Sequence, residues 1–171
     1  MQVKFPEYAS LVKAGQVFAV SNQAVKSTTA GLGTGWTGLA ILNPTASEVN
    51  LEMLGFHAAQ VAVGVAGAVG LMIADTTGLA TELAIKNQLV GSSKNTAAIA
   101  DTAATIGTPV LYRIFGHLGS VATTAYGLLP GLNVDLKGSL IIKPGYSVLT
   151  YTTLATTSAI IFSFLWNEEP I

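Results

Sequence analysis

Charge is scarce in this sequence. Its 171 residues include 8 Lys or Arg and 9 Asp or Glu, for a formal net charge of -1. A folded monomer of this mass exposes roughly 8,000 Å², so its charges are spread at about one per 470 Å², well below what soluble monomers usually carry. A net charge so near zero also gives almost no colloidal repulsion. Cysteine is absent, which excludes a disulfide framework and a thiolate metal site. Arginine occurs once, at Arg113, and the lysines are scattered without a basic N-terminal arm. The clustered positive charge that nucleic acid requires is therefore missing, and no nucleic-acid partner is expected.

Long apolar runs are also lacking. The most hydrophobic stretch, Ala58 to Ala74, is 17 residues with one Gln, shorter than the roughly 20 residues of a membrane helix. It is built from Ala, Gly and Val, and no Lys or Arg lies near either end to anchor it. Buried strands or a packed interface suit it, and no membrane partner is expected. Met1 to Lys13 lacks the apolar core of a signal peptide, so export by that route is not expected.

Half of the residues are hydrophobic and the mean hydropathy is +0.56. With so little charge, two routes to solubility remain: a skin of neutral hydroxyls and amides, or burial of apolar surface against other subunits. The 19 Thr and 11 Ser serve the first. Together these features describe an assembly protein, with an interface expected on Ala- and Val-rich strands such as Val61 to Val69.

The patterning is mostly that of strands. In Glu48 to Met53, polar and apolar residues alternate with the period of a half-buried strand. The phase then slips, since Met53 and Leu54 are adjacent apolar residues before Gly55, and a β-bulge is predicted there. Val110 to Phe115 is apolar on both faces, which predicts a strand covered on both sides. Lys143-Pro144-Gly145-Tyr146 carries the residue preferences of a type II turn, and Ser147 to Leu154 reads as the strand that follows it. In Ser158 to Trp166, Ile160, Phe162, Phe164 and Trp166 share one face.

Gly and Thr clusters punctuate these strands at the spacing of a sandwich or barrel. Asn95 to Ile106 is Ala-rich enough to support a short helix. The expected fold is thus one all-β domain over residues 1–171, an antiparallel β-sandwich of jelly-roll type with room for one short helix. Residues 1–13 are expected to form an N-terminal arm and residues 167–171 a C-terminal tail.

Chemistry-bearing constellations are nearly absent. His57 and His117 stand far apart in sequence with no HExxH-like neighbour, so each is expected to be structural rather than a ligand gathered with Glu52 or Asp75. Gly31-Leu32-Gly33-Thr34-Gly35 superficially resembles a nucleotide loop. It leads into Trp36 and a strand-like run rather than a helix, and it reads as a connection. Glu168-Glu169 before Pro170 reads as a solvated tail. No catalytic residue, cofactor or metal is expected. Trp36 and Tyr126 are the aromatic candidates for a sugar-stacking platform or an interface, although core packing is the commoner fate of such rings.

Gly38-Leu39-Ala40-Ile41-Leu42-Asn43-Pro44-Thr45, followed by Val49-Asn50-Leu51, resembles an early strand-turn-strand of small structural proteins of tailed bacteriophages. The ending from Pro144-Gly145 to Trp166-Asn167-Glu168 resembles their closing strands. The likeness covers about a third of the chain and carries over no functional residue. It implies a jelly-roll-like sandwich that forms homotrimers and sits on a virion against the major capsid or another virion protein, as a capsid decoration or minor capsid protein. The alternative is a β-sandwich module that binds carbohydrate or a host surface through Trp36 or Tyr126.

Overall fold

The computed structural model describes residues 6–61, 67–75, 78–80, 83–119 and 131–171. Their elements, in chain order, are α1 (Pro6–Lys13), β1 (Val17–Ser21), β2 (Lys26–Thr28), β3 (Gly35–Leu42), β4 (Val49–Gln60), β5 (Gly67–Asp75), β6 (Lys86–Asn87), β7 (Ile99–Thr105), β8 (Val110–Leu118), β9 (Gly131–Ile142), β10 (Tyr146–Thr152) and β11 (Thr156–Pro170).

The strands form two sheets, one ordered β6-β1-β11-β4-β9 with β2 also on β11, the other ordered β7-β3-β10-β5-β8. Every ladder between them is antiparallel. Setting aside the flanking β2, β6 and β7, the inner orders are β1-β11-β4-β9 and β3-β10-β5-β8. The chain passes between the sheets at nearly every connection. That is the double Greek key of a jelly roll, and the expectation of an antiparallel sandwich is met.

The core follows from alternation. On β11 Ile160, Phe162, Phe164 and Trp166 all point inward and are essentially inaccessible, as are Leu51, Met53, Phe56 and Ala58 on β4. Phe56 stands at the centre, with ring centroids 6.2 Å from Phe162 and 5.5 Å from Phe164. The predicted bulge is present. Leu54 is skipped in both ladders of β4, which pairs Met53 with Trp166 and Gly55 with Leu165. Opposite it, β9 passes from Leu140 to Asp135 while β4 moves only from Met53 to Gly55. The extra β9 residues loop out through left-handed Lys137 (φ 48°) and Gly138 (φ 73°) and fold Leu136 into the core. The turn after β9 is of type II as predicted, with Gly145 at φ 88° and the Tyr146 amide donating to the Lys143 carbonyl at 3.3 Å.

Several expectations are corrected. The helix lies not in Asn95 to Ile106 but at Pro6–Lys13. There Pro opens the first turn and Gly15, at φ 67°, closes the last, with Gly15 donating to Val12 O and Gln16 to Leu11 O, the double bond of a Schellman cap. The Ala-rich segment instead supplies β7, paired with β3, because Ile99, Thr102 and Thr105 favour an extended backbone. No tail is released at Asn167, since β11 runs on to Pro170 beside β4. Glu168 is only 6% exposed, and it accepts hydrogen bonds from Thr96 Oγ1 and from the Ala97 amide. Within Val61 to Val69, residues 62–66 lie outside the described residues, and Val69 is fully buried core rather than interface. No helix among the described residues is long and apolar enough to cross a membrane.

A second apolar cluster lies apart from the main core, with Trp36, Ala40, Met72, Ala74, Ile106 and Leu149 at its centre.

Candidate functional site

The sequence candidates come first. Trp36 is only 2% exposed, and its Nε1 donates to the Thr150 carbonyl at 3.0 Å. The indole is thus held by its polar edge inside the second apolar cluster, and in this chain it offers no open face for a sugar to stack on. Tyr126 lies outside the described residues. His57 and His117 fall on different sheets, His57 opposite Asn133 and Ser163 and His117 opposite Ala68. The described residues contain no group of three or more His, Asp or Glu placed to hold a metal. Gly31 takes a left-handed turn at φ 67° and the chain re-enters a strand at Gly35, with no helix to cradle a phosphate.

Buried polar groups are numerous, but they serve the fold. Asn43 donates to Val49 O at 2.8 Å and to Ile142 O at 2.9 Å, tying β4 and β9 to the β3–β4 turn. Asn22 donates to Ala24 O at 2.8 Å and Ile160 O at 3.1 Å. Thr28, Thr152 and Thr156 join their hydroxyls across the sheets. Each of these lies where a strand starts or stops and replaces a lost ladder bond.

The feature without a structural role is one long side of the sandwich. On the β7 and β1 side, residues 78–80 and 83–98 close both sheets. Leu83 N donates to Ala100 O at 3.2 Å, and Ala80 N donates to Asp101 Oδ2 at 2.8 Å. Further along, β6 pairs with β1, and Gln88 N donates to Val17 O at 2.8 Å. Leu83 and Ile85 pack on the main core.

Among the described residues, the opposite side ends in β8 and β9 with no further strand. The expectation that β8 is covered on both faces is corrected. Val110, Leu111, Tyr112 and Ile114 are 39% to 54% exposed, Ile141 on β9 is 52% and Tyr146 is 50%. The reason is positional: a sheet's outermost strand has a neighbour on one side only. Between the lips formed by β8 and β9 lies a cleft of about 220 Å³. Its floor is apolar, from Ile73, Leu140, Ile142 and Val148, and Tyr112, Ile141, Lys143 and Tyr146 surround it.

Two bulges shape the β8 lip. Its ladder with β5 skips Tyr112 between Leu111 and Arg113, and Phe115 between Ile114 and Gly116. Phe115 turns in toward Phe56, with ring centroids at 5.8 Å, while Arg113 lies over its ring at 5.4 Å. Bulges interrupt the regular row of donors and acceptors that an added strand would need. The side therefore offers apolar side chains rather than a backbone ladder. Sequence reasoning missed it, although Pro109 before the strand and Arg113 within it are marks of an edge.

Fold and site together define a jelly-roll sandwich that, among the described residues, has one sealed and one open apolar side. No protein-family model matches the chain, and no curated protein matches it. A solved structure similar to it is the unassembled KI polyomavirus VP1 pentamer, at 12% identity and a TM-score of 0.35, over 91% of this chain and 95% of that one. A likeness that weak carries no argument, and the jelly-roll assignment rests on strand order alone.

Proposed function

We propose that this chain is a non-enzymatic structural protein of a virus particle, a decoration or minor capsid protein that binds the assembled shell and reinforces it. It would act as a homotrimer in the virion, against the major capsid protein or another virion protein, without cofactor or catalysis. The observation that carries this reading is a jelly roll with almost no charge and one apolar side left open. Its 8902 Å² of accessible surface is served by so few charged groups that burial against neighbours is the natural way to keep it soluble. The resemblance of the early and closing strands to phage structural proteins points the same way.

Contacts made of apolar and neutral polar groups release few counterions, so attachment should depend weakly on salt. Binding to the assembled shell should stabilise it in proportion to occupancy. The test compares thermal or osmotic rupture of particles with and without the protein, at low salt and at about 0.5 M salt. The expected result is retained attachment at both and a higher rupture threshold when the protein is present. Unchanged rupture on its removal would overturn the proposal, and loss of attachment on raising salt would overturn its apolar mechanism.

A further inference from the structure

We infer that the open side, with the lips β8 and β9 and the cleft between them, is a self-association surface whose occupant is a second copy of this chain. The inference rests on the assembly reading above and names the surface that performs it. Three observations carry it.

The first is area. Val110, Leu111, Tyr112, Ile114, Ile141 and Tyr146 stand on the two edge strands and the turn after β9, each about half exposed. With Leu111 paired to Met72 and Ile114 to Gly70, this apolar surface wraps around the edge and amounts to roughly several hundred Å², the order of the largest apolar patch of a monomer. A standard interface buries about 800 Å² per partner, of which about 56–65% is apolar. The patch therefore supplies the apolar share of one such interface.

The second is shape. The side supplies both halves of a fit: projecting aliphatic residues on the bulged β8 lip, and an apolar cleft at Ile141 and Tyr146. A copy of the chain brings both to the contact, and the bulges direct it to side-chain packing rather than to a continuous sheet.

The third is charge. Arg113 and Lys143 are accompanied on this side by Asp75 and by Asp135, the last already 3.6 Å from Lys137. A mixed, nearly balanced rim repels neither a copy of itself nor a neutral surface, and it selects for no strongly charged partner.

The experiment measures the mass of the full chain by light scattering and sedimentation at micromolar concentration, for the wild type and for Ile141→Lys, Tyr146→Lys and Val90→Lys. Val90 is 95% exposed in the turn after β6, on the sealed side. The wild type and Val90→Lys are expected to be multimers. The two cleft variants are expected to fall to monomer, with the dissociation constant raised by about tenfold or more, while the far-ultraviolet spectrum stays unchanged. Should Ile141→Lys fail to fold, Tyr146→Ser gives the same reading with a milder change. Cleft variants that keep the wild-type mass overturn the inference. A wild type that is monomeric yet still sediments with particles overturns it too, and leaves the virion reading standing. A multimer dissolved by Ile141→Lys that never attaches to particles supports the inference and sinks the virion reading instead.

Discussion

On the β7 and β1 side, the sheet edges are finished by the chain itself. Residues 78–80 and 83–98 return along both sheets, a buried Asp101 carboxylate accepts hydrogen bonds from the amides of Ala80, Thr102 and Ala103, and Glu168 holds the end of this stretch at Thr96 and Ala97. On the β8 and β9 side there is no returning segment among the described residues, and apolar side chains stand at the surface. The two sides differ little in hydrophobicity, because Leu83 and Ile85 are as apolar as Leu111 and Ile141. They differ in whether those side chains are covered: Leu83 and Ile85 pack on the main core, whereas Leu111 and Ile141 are exposed. Uncovered aliphatic and aromatic groups still have free energy to gain by association.

The largest expected effect tests the core that both sides share. Phe162→Ala should cost about 3–5 kcal/mol in chemical denaturation, and Ser163→Ala, on the other face of β11, less than about 1 kcal/mol. Similar losses from the two would mean that the register against β4 is different from the one described.

Next is the sealed side. Asp101→Ala removes one acceptor shared by the buried Thr102 amide and the part-buried Ala80 and Ala103 amides, at about 1–3 kcal/mol for a buried group left unpaired, and water reaching the two part-buried amides should hold the total to about 3 kcal/mol. Hydrogen exchange at Ala80 and Leu83 should quicken together. If those amides remain as protected as in the wild type, the carboxylate is not what holds the seal.

The open side has its own internal support. A Cβ at Gly70 would overlap the Arg113 carbonyl oxygen, because β8 comes close to β5 where its bulge begins. Gly70→Ala should therefore push β8 outward, at about 1–3 kcal/mol, and weaken self-association in parallel. A stable variant with wild-type mass would show that β8 position and assembly are unconnected.

The smallest expected change in stability is at the surface itself. Tyr146→Ser should alter the unfolding free energy of the monomer by no more than about 0.5 kcal/mol, although it removes association. A large loss of monomer stability would make Tyr146 a core residue and erase the contrast between the two sides.

Much of the fold was legible along the chain. The period of two in Glu48 to Met53 and in Ile160 to Trp166 located β4 and β11 and their inward faces, since alternate side chains on an extended backbone must face opposite ways. The slip at Met53 and Leu54 marked the bulge, and Pro144-Gly145 marked the turn, because only glycine adopts φ 88° without strain. Other segments misled for identifiable reasons. Asn95 to Ile106 has the Ala content of a helix, but pairing with β3 outweighs a propensity difference of tenths of a kcal/mol per residue. Glu168-Glu169 looks solvated until β11 extends past it and brings Thr96 to the carboxylate. Trp36 looked available as a platform, but the second apolar cluster encloses it.

The sequence by itself determined that this chain folds as strands, carries no marked catalytic motif and has little charge for its length, because those properties depend on residue type and local spacing. Tertiary structure alone decided which strands lie at the margins. Val110 to Phe115 is apolar on both faces whether a strand is central or outermost, and the difference rests on contacts between residues far apart in the chain. The placement of β8 beyond β5, and the return of residues 78–80 and 83–98 to the opposite side, are what turn the same hydrophobicity into core on one side of the sandwich and a binding surface on the other.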